Sequence, residues 1–99
     1  MADEKTRYVI CYDVIDDRRR TKLARALDAF GDRVQYSVFE ALLDALLFDK
    51  MVRAIEREID LTEDRVTIYA ICASCVRRRI RIGIDADRVS PGDEVVFIA

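Results

Sequence analysis

The apolar pattern of the chain predicts an α+β fold, in which two helices cover one antiparallel sheet. Short runs of β-branched and aromatic residues alternate with two segments whose apolar residues recur at helical spacing. The predicted order is strand, helix, a strand that bends into two, helix and strand, with a further strand at the C-terminus. With 99 residues and a hydrophobic fraction of 52%, residues 1–99 can form one domain, with an ordered core over about 7–84. This order is the βαββαβ arrangement of a ferredoxin-like sandwich.

The first strand and helix have clear local signals. Tyr8–Tyr12 is apolar on both faces, which is typical of a strand in the middle of a sheet. Asp16 or Asp17 can cap the helix that follows, and its apolar stripe predicts a helix over Arg18–Phe30. Gly31 stands where a glycine commonly ends a helix.

The middle of the chain predicts a strand and a second helix. Arg33–Glu40 alternates as a strand does, and Ala41–Leu43 either bends or continues it. Asp44 can cap the second helix. The apolar stripe of that helix comprises Phe48, either Met51 or Val52, Ile55 and Ile59.

The C-terminal third predicts three further strands. Arg65–Cys72 is a clear strand, and Arg79–Ile84 alternates arginine with apolar residues, as an edge strand does. Pro91-Gly92 predicts a turn, and Glu94–Ile98 a short strand. Because this last strand is so apolar, we expect it to pair with a sheet edge, such as that of another protomer.

Composition narrows the function classes. The chain contains no histidine, so Ser37 has no imidazole base and a serine-hydrolase triad is excluded. The net charge of −2 and the pI of about 5.1 argue against strong non-specific binding of nucleic acid, although Arg18–Lys22 and Arg77–Arg81 are locally basic. No apolar run is long enough to span a membrane and the first residues lack an export signal, so we expect a cytoplasmic protein.

Asp13 is the first candidate site residue, since it ends the first strand just before the basic block Arg18–Lys22. A single carboxylate does not hold Mg²⁺ firmly. Two copies facing across a dimer would repel unless a cation or a shared proton lay between them. Alternatively, Asp13 only caps or solvates a strand end. The three arginines of the basic block oppose the helix dipole, which suggests that they serve an external anion; the alternative is a solvated helix face.

Cys72 and Cys75 form a C-x-x-C motif, which is half a zinc site with no histidine to complete it. A Cys₄ site shared by two protomers and a redox pair are open alternatives. Because the motif follows a late strand, we expect buried or partly buried thiols without either role.

Three segments resemble one family. They are Tyr8–Val14, Asp16–Arg20 and Arg33–Glu40, which contain the patterns Y-D-x-x-D-D-x-R-R and R-V-Q-x-S-V-F-E. Arg65–Ile71 with Cys72–Cys75 adds to the likeness. The chain is similar over nearly its whole length to the small CRISPR-associated adaptation proteins, the second of the core set, which partner the CRISPR integrase.

The resemblance implies a function and a site. It implies a ferredoxin-like homodimer that takes part in spacer acquisition and acts as a metal-dependent endonuclease on single-stranded RNA or double-stranded DNA. The alternative is a non-catalytic dimeric scaffold that bridges integrase subunits and binds duplex DNA. The family's metal-binding aspartate falls on Asp13, which would ligate Mg²⁺ or Mn²⁺ between two protomers. The other implied positions are nucleic-acid-binding Arg20, Lys22 and Arg33, and supporting Tyr12, Ser37 and Phe39.

Lys22 departs from the family, which has an arginine there, and loses the bidentate geometry that suits phosphate. A generic ferredoxin-like RNA-binding or small-ligand domain is a third reading, which rests on fold analogy alone.

Overall fold

The first strand occupies the centre of a four-stranded antiparallel sheet in the computed structural model, which describes residues 4–80, 82 and 83. The sheet order is β2-β3-β1-β4, as a ferredoxin-like βαββαβ sandwich requires. The predicted fold class is therefore confirmed. The elements are β1 Thr6–Asp13, α1 Asp17–Asp28, β2 Asp32–Gln35, β3 Val38–Leu43, α2 Ala45–Glu58, β4 Arg65–Ile71 and α3 Ala73–Arg77.

Both long helices begin where the sequence places a capping carboxylate. Asp16 accepts a hydrogen bond from the Arg19 backbone N–H at 2.9 Å, and Asp44 accepts one from the Leu47 N–H at 2.8 Å. Each carboxylate satisfies an N–H that has no partner within the helix. These caps fix where the chain turns from β1 into α1 and from β3 into α2.

The core lies between the two long helices and one face of the sheet. Its fully buried side chains are Ile10, Leu23, Leu27, Phe39 and Met51. Because successive strand residues point to opposite faces, Ile10 and Tyr12 of β1 face the helices, whereas Cys11 and Asp13 lie on the other face.

The prediction of a single strand over Arg33–Glu40 is wrong in its middle. The chain turns at Tyr36-Ser37 and forms the β2–β3 hairpin there, and β3 continues through Leu43. The turn is held by β1, because the Tyr12 N–H donates to the Ser37 carbonyl at 3.1 Å and the Tyr12 hydroxyl donates to the Tyr36 carbonyl at 3.2 Å.

Gly31 is required for a reason other than helix capping. Its φ does not lie in the left-handed region, and the helix cap is Ala29. A Cβ at Gly31 would lie 2.1 Å from the Glu40 carbonyl oxygen and 2.8 Å from the Ala41 Cβ. The glycine therefore lets the end of α1 approach the β3 backbone closely.

The C-terminal third differs from its prediction. Arg79 and Ile80 are not in a strand, because the Arg79 N–H bonds back to the Val76 carbonyl and its guanidinium pairs with Glu40. Cys72 is not the end of β4 but the residue before α3. Cys72 and Cys75 are exposed, so the expectation of buried or partly buried thiols is wrong.

The turn predicted at Pro91-Gly92 and the strand at Glu94–Ile98 lie outside the described residues, as does most of the predicted edge strand. Within the residues that the structure describes, no helix has the length and apolar character needed to cross a membrane.

Candidate functional site

Asp13 ends β1 with an exposed side chain on the sheet face that α1 and α2 leave open. Its neighbour in the ladder is Arg65 at the start of β4. Within residues 4–80, the Asp13 carboxylate takes part in no hydrogen bond or ion pair. The oxygens of Asp13 are thus available to a cation or to a group outside this chain.

Arg20 reaches from α1 back to the end of β1. Its Nη1 donates to the Val14 carbonyl at 2.7 Å, and its Nη2 pairs with the Asp17 carboxylate. The guanidinium carbon lies 5.9 Å from the centroid of the Tyr36 ring, which is 63% exposed. The geometry fixes this guanidinium beside the residue that follows Asp13.

Arg33 lies on the same side of the sheet and belongs to an aromatic cluster. Its Nη2 donates to the Tyr12 hydroxyl at 3.3 Å, and its guanidinium carbon lies 5.6 Å from the centroid of the Phe39 ring. The rings of Tyr12 and Phe39 are 6.2 Å apart. Ser37 contributes its carbonyl, which holds the hairpin turn against Tyr12. The structure therefore brings together five of the predicted residues: Tyr12, Arg20, Arg33, Ser37 and Phe39.

Arg20 and Arg33 border an open groove of about 580 Å³ between α1 and the β2–β3 hairpin, whereas Tyr12, Ser37 and Phe39 do not line it. Three arginines line it, Arg20, Arg25 and Arg33, and the sequence reasoning missed Arg25. Arg25 lies on the same helical face as Thr21 and Asp28, and this spacing could have indicated it. Asp17 and Asp28 also line the groove and offset part of the positive charge.

Lys22 is not among the lining residues of this groove. It lies two residues after Arg20 on α1, so the two side chains leave the helix about 160° apart, on nearly opposite sides. A role for Lys22 in nucleic-acid binding stays a prediction, and it would use a different surface from that of Arg20.

The basic block is more engaged within the chain than its sequence suggests. The Arg19 Nε donates to Asp64 Oδ2 at 2.9 Å, and its Nη2 lies 3.3 Å from Glu63 Oε2. The hydrogen bond from Arg19, followed by that from the Asp60 N–H, lowers the pKa of Asp64 below its ordinary value. Arg19 and Arg20 thus have acidic partners of their own, which corrects the expectation that the whole block serves an external anion.

The Arg19–Asp64 pair supports the candidate site indirectly. Asp64 also accepts a hydrogen bond from the Asp60 backbone N–H at 2.8 Å, so the pair ties the start of α1 to the turn before β4. Nothing local in the sequence indicates this pair, because its members are 45 residues apart.

One chain alone does not assemble a metal site from its described residues. They contain no group of three or more histidine, cysteine, aspartate or glutamate side chains placed to hold an ion. Asp13 supplies one carboxylate, and a second would have to come from another copy of the chain.

Comparisons with known proteins agree with the fold and also identify a family. The family model described as CRISPR associated protein Cas2 matches residues 6–79. The CRISPR-associated endoribonuclease Cas2 4 of Rhodospirillum rubrum is 48% identical over 82 residues, which cover 83% of this chain and 66% of that relative. The chain thus spans slightly less than two thirds of the length of this relative.

Solved structures give the same result. The crystal structure of Streptococcus pyogenes Cas2 at pH 6.5 matches with a TM-score of 0.71 and 26% identity, over 78% of this chain and 99% of that chain. A chain from a partial Cas6-RT-Cas1–Cas2 complex matches with a TM-score of 0.59 and 29% identity, over 82% and 92%. Since the family model spans most of the sequence and both structures share its fold, the chain belongs to the CRISPR-associated Cas2 family.

Proposed function

We propose that this chain is a CRISPR-associated endonuclease that acts within the spacer-acquisition machinery beside the CRISPR integrase. The family match and a relative named as an endoribonuclease support the activity, and the Cas1–Cas2 complex among the structural neighbours supports the partnership. The observation that carries the proposal onto this chain is Asp13, an exposed carboxylate without a partner in the described chain, at the end of the central strand.

The active form in this proposal is a homodimer that buries the open face of the sheet. That face carries the apolar side chains of Val9, Val38 and Tyr69 beside the buried Arg7–Glu40 pair, and Tyr69 is 57% exposed. A sheet face of this kind is normally covered by another layer, and a second copy offers the same face in return. A two-fold axis near the ends of the β1 strands would then bring the two Asp13 carboxylates together.

The donor set fits a hard divalent cation at that seam. Mg²⁺ is commonly held by one or two carboxylates together with water and substrate phosphate, and two Asp13 side chains supply that number. We therefore assign Mg²⁺ or Mn²⁺ to the pair. Bound there, the ion would add positive charge where a phosphodiester develops negative charge during hydrolysis.

The groove arginines would bind and orient the nucleic acid. Arg33 presents its guanidinium between Tyr12 and Phe39, and Arg20 holds its own beside Tyr36. Arginine forks suit phosphate, and the exposed Tyr36 ring offers a surface on which a base can stack. Stacking on an exposed ring requires an unpaired base, so this site favours single-stranded RNA over duplex DNA.

The test is a metal-titrated cleavage assay with Asp13→Asn, on single-stranded RNA and on duplex DNA. We expect the variant to lose metal-stimulated cleavage by roughly 100-fold or more, because both protomers lose a ligand. Asp49→Asn on the outer surface of α2 is the matched control and should cleave as the wild type does. Sedimentation should show an unchanged dimer in both variants. Full cleavage by Asp13→Asn would remove Asp13 from the reaction.

A further inference from the structure

Two exposed cysteines lie side by side at the end of β4, outside the proposed nuclease site. Cys72 precedes α3 and Cys75 lies within its first turn. The two sulfur atoms are 3.4 Å apart, and the Ser74 hydroxyl oxygen lies 3.1 Å from the Cys72 sulfur. The sulfurs of a disulfide are about 2.05 Å apart, so closing the bond needs a movement of only about 1.4 Å.

The two thiols differ in acidity. Hydrogen bonds from the Ser74 side chain, then from the Cys75 backbone and thiol, lower the pKa of Cys72 to about 7. The hydrogen bond to Cys72 and its charge raise the pKa of Cys75. At neutral pH Cys72 is therefore the nucleophile and Cys75 the thiol that resolves a mixed disulfide.

The surroundings of Cys72 are basic. A cavity of about 250 Å³ beside it is lined by Lys5 and Arg77, both exposed, and by apolar Leu42 and Ile71. A disulfide that carries carboxylates would be drawn to these cations, whereas a cationic disulfide would be repelled.

We propose that Cys72 and Cys75 are a redox-active dithiol that exchanges with anionic disulfides of the glutathione type. The Cys72 thiolate attacks one sulfur of the disulfide, whose S–S bond breaks and releases one thiolate to be protonated by solvent. The Cys75 thiol gives its proton to solvent and attacks the Cys72 sulfur, which releases the second thiolate. The protein dithiol is oxidised by two electrons, and the disulfide is reduced to two thiols.

A metal role for the pair is less well supported. Zinc sites need four ligands, or three with an open position, and the described residues place no third cysteine, histidine or carboxylate beside these sulfurs. Cys11 is the one other cysteine of the chain, and it is half-buried in the middle of β1.

The test starts from the reduced full-length protein in buffers of varied ratios of oxidised to reduced glutathione. After an acid quench and alkylation, the intact mass counts the free thiols. We expect three alkylated thiols in the reduced protein and one, Cys11, in the oxidised protein, with no glutathione attached. Three alkylated thiols at every ratio, or a stable glutathione adduct on the wild type, would overturn the proposal.

Two single variants identify the roles of the cysteines. Cys75→Ser should accumulate a glutathione adduct on Cys72, because the resolving thiol is gone. It should react about three-fold faster at pH 7 than Cys72→Ser does. About half of a thiol of pKa 7 is ionised at this pH, against about 3% of a thiol of pKa 8.5, and the more acidic thiol gives a less nucleophilic thiolate, which offsets part of this difference. Equal rates would contradict the assignment of Cys72 as nucleophile.

Two further arms use the wild type. Oxidised glutathione should react faster than cystamine, a cationic disulfide, and the preference should shrink at high salt; equal rates would overturn the preference for anionic disulfides. Zinc added at micromolar concentration should leave both thiols open to alkylation, and tight protection would reassign the pair to a metal.

Discussion

Replacing Gly31 with alanine should destabilise the fold because the new methyl group meets backbone rather than side chain. The Cβ would lie 2.1 Å from the Glu40 carbonyl oxygen, whereas a close carbon–oxygen contact is about 3.3 Å. The β3 backbone would have to move by more than about 1 Å. Overpacking costs about 1–3 kcal/mol of stability, and the upper end applies here because backbone has to move. Alanine also lowers the entropy of the unfolded chain, which offsets about 0.4–1 kcal/mol of that cost. We expect a net loss of about 2 kcal/mol, or a Tm lower by roughly 8–16 °C.

Urea and thermal unfolding followed by circular dichroism measure this loss. Gly83→Ala is the matched control, since Gly83 has a φ of 103° but nothing within 4 Å of its added Cβ. There we expect only backbone strain of about 1 kcal/mol, the low end of the usual cost, because the site is open and can relax. A Gly31→Ala protein as stable as the wild type would refute the close approach of α1 to β3.

Three further predictions concern the Asp64 carboxylate, the arginine groove beside α1 and the open face of the sheet. Asp64 has a lowered pKa in the folded state, so its stabilising contribution is present above the unfolded pKa of about 4 and is lost as pH falls through the folded value. Asp64→Asn should therefore lower the urea midpoint more at pH 7 than at pH 3, and an equal loss at both would speak against the charge of this group. Arg33→Ala should weaken binding of single-stranded RNA and reduce the salt slope of log K by about 1, measured by fluorescence anisotropy, with Arg57→Ala unchanged. Tyr69→Asp should give a monomer in sedimentation velocity, because it places a charge on the proposed interface; a persistent dimer would move the interface elsewhere.

The parts of the fold that depend on local chemistry could be predicted from the sequence. Asp16 and Asp44 cap their helices, because each carboxylate accepts a hydrogen bond from a backbone N–H only three residues later in the chain. The central position of β1 followed from its two apolar faces. Both features depend on residues that are close together in the chain, so the order of residues in the sequence is enough to predict them.

The features that sequence reasoning missed are set by residues far apart in the chain. The hairpin turn at Tyr36-Ser37 contains no glycine, proline or asparagine, and Tyr12, 24 residues away from Tyr36, holds it. The Arg19–Asp64 pair likewise joins α1 to the start of β4. The alternation of Arg33–Glu40 could not show a turn, because a strand and a tight hairpin have the same local composition there.

Asp13 and the arginine groove are separated in the structure, which predicts that Asp13 serves the chemical step and the groove serves substrate binding. Tyr12 faces the helices and contacts the groove arginine Arg33, and Asp13 faces the opposite side of the sheet. In the proposed dimer the two aspartates meet at the seam while each groove stays outside it, so a bound strand must pass around the end of β1. The path is short, because Arg20 bonds to the carbonyl of Val14, the residue after Asp13.

The division can be tested by kinetics. Arg33→Ala should raise KM for cleavage and leave kcat nearly unchanged, because it removes binding that the substrate and the transition state share. Asp13→Asn should lower kcat and leave the dissociation constant for RNA nearly unchanged. An Arg33→Ala variant that loses kcat as far as Asp13→Asn does would instead place this arginine at the reacting phosphate, and the strand would then have to bend across β1 rather than around its end.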